Sequence, residues 1–214
     1  MSYVCLMAND SGAVVAGDTL LTELHNPHSF HSPTSQGLMS HKCDVLKEDG
    51  MIWARCGLNH TGGIHVGEVI RECLSATELP VTQRLDNISR RLAPLTARVL
   101  DNGSTSSIFL FLAQRKNKVT SIWDFRLVNG RLSLDPYILL PGTVYFRQGG
   151  LHTSRIKVPD YSALRTCSFE TLRALARRQV ELAIAVDEEL ERKDLNYVRQ
   201  VGGEIIGYGI KLKK

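Results

Sequence analysis

Residues 2–22 read SYVCLMANDSGAVVAGDTLLT, and their order already describes a folded unit. Ser2 to Ala8 is dense in Val, Leu, Cys and Tyr, side chains that fill a pleated surface well. Asn9-Asp10-Ser11-Gly12 supplies turn residues, and Ala13 to Gly17 returns as a run of small apolar residues before Asp18. The stretch predicts a β-hairpin that starts at the first residues of the chain. Chain ends fray unless something ties them down, so a strand beginning at residue 2 raises the question of what holds it there and for what purpose.

Outward from the hairpin, a polar stretch with histidines and prolines, residues 25–40, predicts a long loop. A second hairpin follows, Lys42 to Leu46 and Met51 to Gly57, turning at Glu48-Asp49-Gly50. The period then changes: Val66, Val69, Ile70, Cys73 and Leu74 fall on one helical face, and Val81, Leu85, Ile88, Leu92, Leu95 and Val99 mark a second helix, bent at Pro94 and stopped by Asn102-Gly103. Strand patterns resume over 107–113, 119–125 and 132–139, with Asn129-Gly130 as a strong turn, and over 143–147 before Gly149-Gly150. Ser168 can cap a long helix whose buried stripe is Leu172, Leu175, Ala176, Ala183, Val186 and Leu190, and Gly202-Gly203 lead into a last strand, 205–212. Strands, then helices, then strands, then a helix imply an α+β fold with antiparallel sheets and helices on their outer faces, not alternating βαβ units.

The 214 residues, 43% of them hydrophobic, suffice for one substantial core, and no linker divides it, so residues 1–214 are expected to form a single domain. The N-terminus has neither a basic head nor an apolar run of signal length, and no transmembrane-length apolar run occurs elsewhere, so a cytoplasmic location away from membranes is expected. Five cysteines without CxxC spacing fit reduced core thiols. A formal charge of +4, with basic residues scattered among acidic ones, disfavours nucleic acid as the main partner. Arg173, Arg177 and Arg178 beside Glu170 and Glu181 read as a solvated helix face. His25, His28 and His31 read as a polar loop, not a metal site, and Gly103-Ser104-Thr105-Ser106-Ser107 lacks the Gly-Lys-Ser/Thr ending of a phosphate loop. No cofactor and no metal are expected.

Serine at position 2 has chemical significance because an initiator methionine is usually removed when so small a residue follows it. Removal would leave a primary hydroxyl and a free α-amine on one residue. A hydroxyl attacks poorly at its free pKa and needs a neighbouring base, which an N-terminal amine can be. The amine's reference pKa of ~7.7–8.0 leaves a useful neutral fraction near neutral pH, more so beside a fixed positive charge such as a buried lysine held by a carboxylate.

At this point residues 2–22 resemble the first hairpin of the proteasome β subunits and their bacterial relatives, a family of N-terminal-nucleophile hydrolases. The nucleophile, the strand, a turn with Gly and an Ala/Gly-Asp-Ser/Thr ending occur in order, and Asp18 lies 18 − 2 = 16 residues after Ser2, the interval the family keeps between its nucleophile and the aspartate that anchors its lysine. Lys42 in SHKCDVL is similar to that lysine, and ARCGLNHTGG resembles the segment whose backbone N–H forms the oxyanion hole, a role that would fall on Gly57. The C-terminal DLNYVRQVGGEIIGYGI is similar to the family's polar loop and last strand, and its Asp194, Asn196 and Val-Gly-Gly spacing looks closer to the bacterial Anbu-type branch. The resemblance touches most of the chain, most strongly at residues 2–22 and 41–75. It implies a four-layer αββα sandwich of two antiparallel sheets, catalytic roles for Ser2, Asp18, Lys42 and Gly57, a peptide or unfolded-protein substrate, a homo-oligomeric ring or spiral and a partner ATPase.

The departures are specific. The family's accessory serine after its second sheet has no counterpart in Arg147-Gln148-Gly149-Gly150, and at its second accessory site Val198 and Val201 stand where Asp and Ser are expected, with Asp194 as a substitute only if the loop is longer. Ser2 lacks the methyl with which threonine restricts its own rotamer. Beside the hydrolase reading stand a non-catalytic structural subunit on the same fold and a non-peptidase amidase of the same superfamily. Asp18 and Lys42 taken alone would read as a structural ion pair.

Overall fold

The computed structural model describes residues 2–19, 42–58, 60–61, 64–98, 107–194, 197 and 201–211. Met1, the histidine loop, the 99–106 turn, Asn196 and Val198 lie outside the described residues.

Tyr3–Asn9 (β1) and Gly12–Asp18 (β2) form the predicted hairpin, with Val4 opposite Gly17 and Asn9 opposite Gly12. Both strands are buried on both faces, which explains why they read as continuous apolar runs and not as alternations. The second hairpin is Cys43–Leu46 (β3) with Met51–Gly57 (β4), followed by the short pair His60–Thr61 (β5) and Ile64–His65 (β6). Val66–Leu74 (α1) and Val81–Arg98 (α2) come next, the second continuing through Pro94. Ser107–Lys116 (β7), Val119–Val128 (β8) and Arg131–Leu139 (β9) form a meander. Tyr145–Gly150 (β10), Tyr161–Thr166 (α3), Phe169–Lys193 (α4) and Ile205–Lys211 (β11) complete the described elements.

Two larger antiparallel sheets result, one ordered β10-β1-β2-β11 and the other β3-β4-β7-β8-β9. Alternate residues of β1 enter different clusters. Tyr3, Cys5 and Met7 pack with Leu172, Ala176, Val180 and Ala183 of α4, while Val4, Leu6 and Ala8 pack with Ile52, Ala54 and Cys56 of β4 and Phe111 of β7. In the second sheet, Met51 and Trp53 face Ile70, Leu74, Leu85 and Leu92 of α1 and α2. One face of β1 thus packs on α4 and its other face on β4 and β7, while β4 packs Met51 and Trp53 against α1 and α2.

Several boundaries differ from expectation. The strand predicted at 143–147 begins at Tyr145 and runs on through Gly149 and Gly150, because β1 continues to pair with it as far as Tyr3 opposite Gly150. The six-residue helix α3 was not anticipated; Asp160 caps it, accepting from the Ser162 N–H at 2.9 Å. Along α4 the buried positions include Gln179, Val180 and Asp187, while Leu175, Val186 and Leu190 are only partly buried. The Ser168 cap is as expected, accepting from Thr171 N–H at 3.2 Å, and Arg173, Arg177 and Arg178 pair with Glu170 and Glu181 on an exposed face.

Candidate active site

The β1–β2 register explains the sixteen-residue interval. With Val4 opposite Gly17, the same register carries Asp18 opposite Tyr3, one peptide bond from Ser2. The Asp18 carboxylate is fully buried and accepts three hydrogen bonds: the Tyr3 N–H at 2.8 Å on Oδ1, and Lys42 Nζ at 2.8 Å and the Gly202 N–H at 3.1 Å on Oδ2. A buried carboxylate is tolerable only when so satisfied.

Lys42 stands just before β3, where its carbonyl accepts the Arg55 N–H at 2.7 Å and aims the chain at the end of β2. Its side chain is 2% exposed. Burial draws the ammonium below the usual lysine range, with the neighbouring Arg55 guanidinium adding to that effect and Asp18 opposing it. Arg55 is itself buried and brought down to about 10 by desolvation. The thiols around the pair behave oppositely: burial raises Cys56 to about 12 and Cys43 well above its ordinary value. Both stay protonated near neutrality, which leaves them poor nucleophiles.

Ser2 is 6% exposed and is held from two directions. Its carbonyl accepts the Leu151 N–H at 3.0 Å, and the amide that follows it is the Tyr3 N–H bound to Asp18. Gly150 permits this approach: its φ is 102°, and a Cβ there would lie 1.7 Å from the Ser2 oxygen. Thr19 ties the far side, with its N–H on Gly202 O at 3.2 Å and its Oγ1 accepting the Glu204 N–H at 2.9 Å.

The Asp18 carboxylate thus joins Lys42 to the backbone amide that follows Ser2. Gly57 ends β4, two residues beyond Arg55, with φ 101°. Glycine is required there by its neighbour strand, because a Cβ would meet Ser107 O at 2.0 Å. At the first accessory position Gln148 binds structure: Oε1 accepts from Tyr3 OH at 2.7 Å and Nε2 donates to Thr153 O at 2.9 Å. Asp194 is the exposed C-cap of α4, its N–H bonded to Leu190 O at 3.0 Å.

Sequence reading missed another buried carboxylate, Asp187. Asp187 Oδ1 meets His152 Nε2 at 2.6 Å and accepts from Tyr197 OH at 2.5 Å, while Oδ2 accepts the Val201 N–H at 2.8 Å. Its signal was available: Asp187 lies four residues after Ala183 on the stripe through Leu172, Ala176 and Val180, where an acid needs partners. Among the described residues no cluster of three or more His, Cys, Asp or Glu could hold a metal ion, and no helix is long and apolar enough to cross a membrane.

No family model matches the chain, and no curated protein matches it. Among solved structures it is similar to an Anbu (Gly-1) mutant from Hyphomicrobium sp. strain MC1, at 15% sequence identity and a TM-score of 0.49, over 100% of this chain and 89% of that one.

Proposed function

We propose that the chain is an N-terminal serine amidohydrolase of the proteasome type, cleaving peptide bonds through an acyl-enzyme at Ser2 once Met1 is removed. The observation that carries the reading is the Asp18 carboxylate, which grips Lys42 with one oxygen and the amide following Ser2 with the other. The same carboxylate thus links the buried ammonium to the backbone beside the proposed nucleophile. The packing of β1 against α4 on one face and against β4 and β7 on the other, with β4 against α1 and α2, supports the four-layer αββα arrangement that goes with this reading.

In the proposed reaction Ser2 Oγ bonds to the scissile carbonyl carbon, and its proton passes to the α-amine of the same residue. The Lys42–Asp18 pair supplies the fixed charge beneath that amine, and the Gly57 N–H would stabilise the oxyanion. Collapse breaks the C–N bond, the α-ammonium returns the proton to the leaving amine, and water then hydrolyses the ester. The substrate class proposed is a peptide or unfolded protein in the cytoplasm, with a homo-oligomeric ring or spiral and a partner ATPase following from the family resemblance.

Processed protein, with removal of Met1 verified by intact mass, should hydrolyse members of a fluorogenic peptide panel, and the Ser2→Ala protein should not. Equal rates in both remove the proposal. A chain that retains Met1 in its own cells supports a non-catalytic subunit instead.

A further inference from the structure

Among the described residues, three charged clusters built on buried groups stand outside the proposed chemistry: Asp124 with the half-exposed Arg126 and Arg147, the pair of Arg84 on α2 with Asp49, and the Asp187–His152–Tyr197 cluster. The last touches both the residue after Leu151, which holds the Ser2 carbonyl, and the residue before Gly202, which holds Asp18.

The connection can be followed bond by bond. The Leu151 N–H holds the Ser2 carbonyl, and the next residue, His152, places Nε2 on Asp187 Oδ1. The Gly202 N–H holds Asp18 Oδ2, and the residue before it, Val201, places its N–H on Asp187 Oδ2. Tyr197, on the same side of the glycines, adds its hydroxyl to Oδ1. One carboxylate, 0% exposed on a 25-residue helix, therefore anchors both segments, each at one residue's remove from the site.

The backbone at His152 agrees with such a task. Its φ is 64°, a left-handed conformation that a residue with a Cβ adopts only under constraint from its surroundings. The His152 carbonyl accepts from Arg155 and Ile156 N–H at 2.8 and 3.1 Å, closing a tight turn that points the ring inward, where its side chain is 6% exposed. The turn aims the imidazole at α4 while leaving Leu151 N–H on Ser2.

We propose that Asp187, with His152 and Tyr197, is a positioning clamp that couples the strand end holding the Ser2 carbonyl to the glycine loop holding Asp18, keeping nucleophile and ion pair in register. The clamp takes no part in bond making; it acts through Leu151 and Gly202. This proposal rests on the hydrolase reading for its purpose but not for its physical test.

Amide hydrogen exchange on Asp187→Asn and Tyr197→Phe proteins reads the coupling without substrate. Asp187→Asn keeps the shape and removes the charge; Tyr197→Phe removes one hydrogen bond and guards against a failure of the first variant to fold. Ser168→Ala, which weakens the far end of the same helix, is the control. The expected result is exchange about tenfold faster at Val201, Gly202 and Leu151 together in Asp187→Asn, roughly the loss of one net hydrogen bond, and a smaller joint rise in Tyr197→Phe. Ser168→Ala should leave all three unchanged. Faster exchange confined to Val201, or equal rises in the Ser168→Ala control, overturns the clamp. On processed protein the same variants should lower kcat with KM little changed. If the unaltered protein hydrolyses nothing, the hydrolase reading falls while the exchange data still decide the coupling.

Discussion

Replacing Lys42 by methionine should destabilise the folded chain by about 3–5 kcal/mol, the usual consequence of stranding one member of a buried ion pair. The structure supports this range over the smaller value of a surface pair, because the two side chains are 2% and 0% exposed and no solvent screens the remaining charge. Of the three donors to Asp18, only the Tyr3 and Gly202 N–H groups would remain, and neither carries a formal charge. Methionine fills most of the lysine volume, so cavity formation adds little. For a domain of this size, each kcal/mol moves the melting temperature by roughly 2–4 °C, giving a decrease of roughly 6–20 °C. The decisive comparison is the Asp18→Asn, Lys42→Met double variant. It removes the stranded charge but also turns an amide NH2 toward one backbone donor, so it should lose only about 1–3 kcal/mol and be more stable than Lys42→Met alone. Urea denaturation with matched m-values measures all three. A Lys42→Met protein within about 1 kcal/mol of the parent, or a double variant less stable than that single one, would show that the pair is not the buried electrostatic unit described above.

Gly150→Ala should lower stability by about 3 kcal/mol or more and shift residue 2, since its Cβ would lie 1.7 Å from Ser2 O at a φ of 102°; a melting curve unchanged from the parent contradicts this. The thiols of Cys5 and Cys56 are raised by burial from 9.0 to about 12, so the folded chain keeps protons that the unfolded chain releases. Their contribution is complete below pH 9 and declines as pH rises toward 12, whereas the lowered Lys42 pushes stability the other way up to its ordinary 10.5. Comparing urea midpoints between pH 9 and 10.5 isolates the thiols: the parent should lose stability faster than a Cys5→Ala, Cys56→Ala protein, by up to ~2.7 kcal/mol per pH unit, and parallel curves would refute the assignment.

How much was legible in advance depends on whether the determining interaction was local. The first hairpin could be read because turn chemistry at Asn9-Asp10-Ser11-Gly12 sets the register, and that register delivers Asp18 to the amide of Tyr3. Helices α1, α2 and α4 and the meander of β7 to β9 followed from period and turn residues for the same reason. The continuation of β10 through two glycines was hidden, since glycine weakens a strand by itself and only pairing with β1 keeps it extended. The short helix α3 was hidden too, its six residues being too few for a period to register.

For the candidate site, the sequence by itself determined the chemistry on offer: a serine at position 2, an aspartate sixteen residues on, and a lysine opening the next described strand. Those follow from residue identity and short-range pairing. Only the tertiary structure decided that Lys42 is buried against Asp18, that Gly202 completes the carboxylate's shell from 184 residues away, and that Asp187 serves both supporting segments from the C-terminal part of α4. Such contacts carry no periodic or turn signature, because they form only when burial of two sheets and their covering helices brings distant polar groups together without water, and each must then find its partner within the protein.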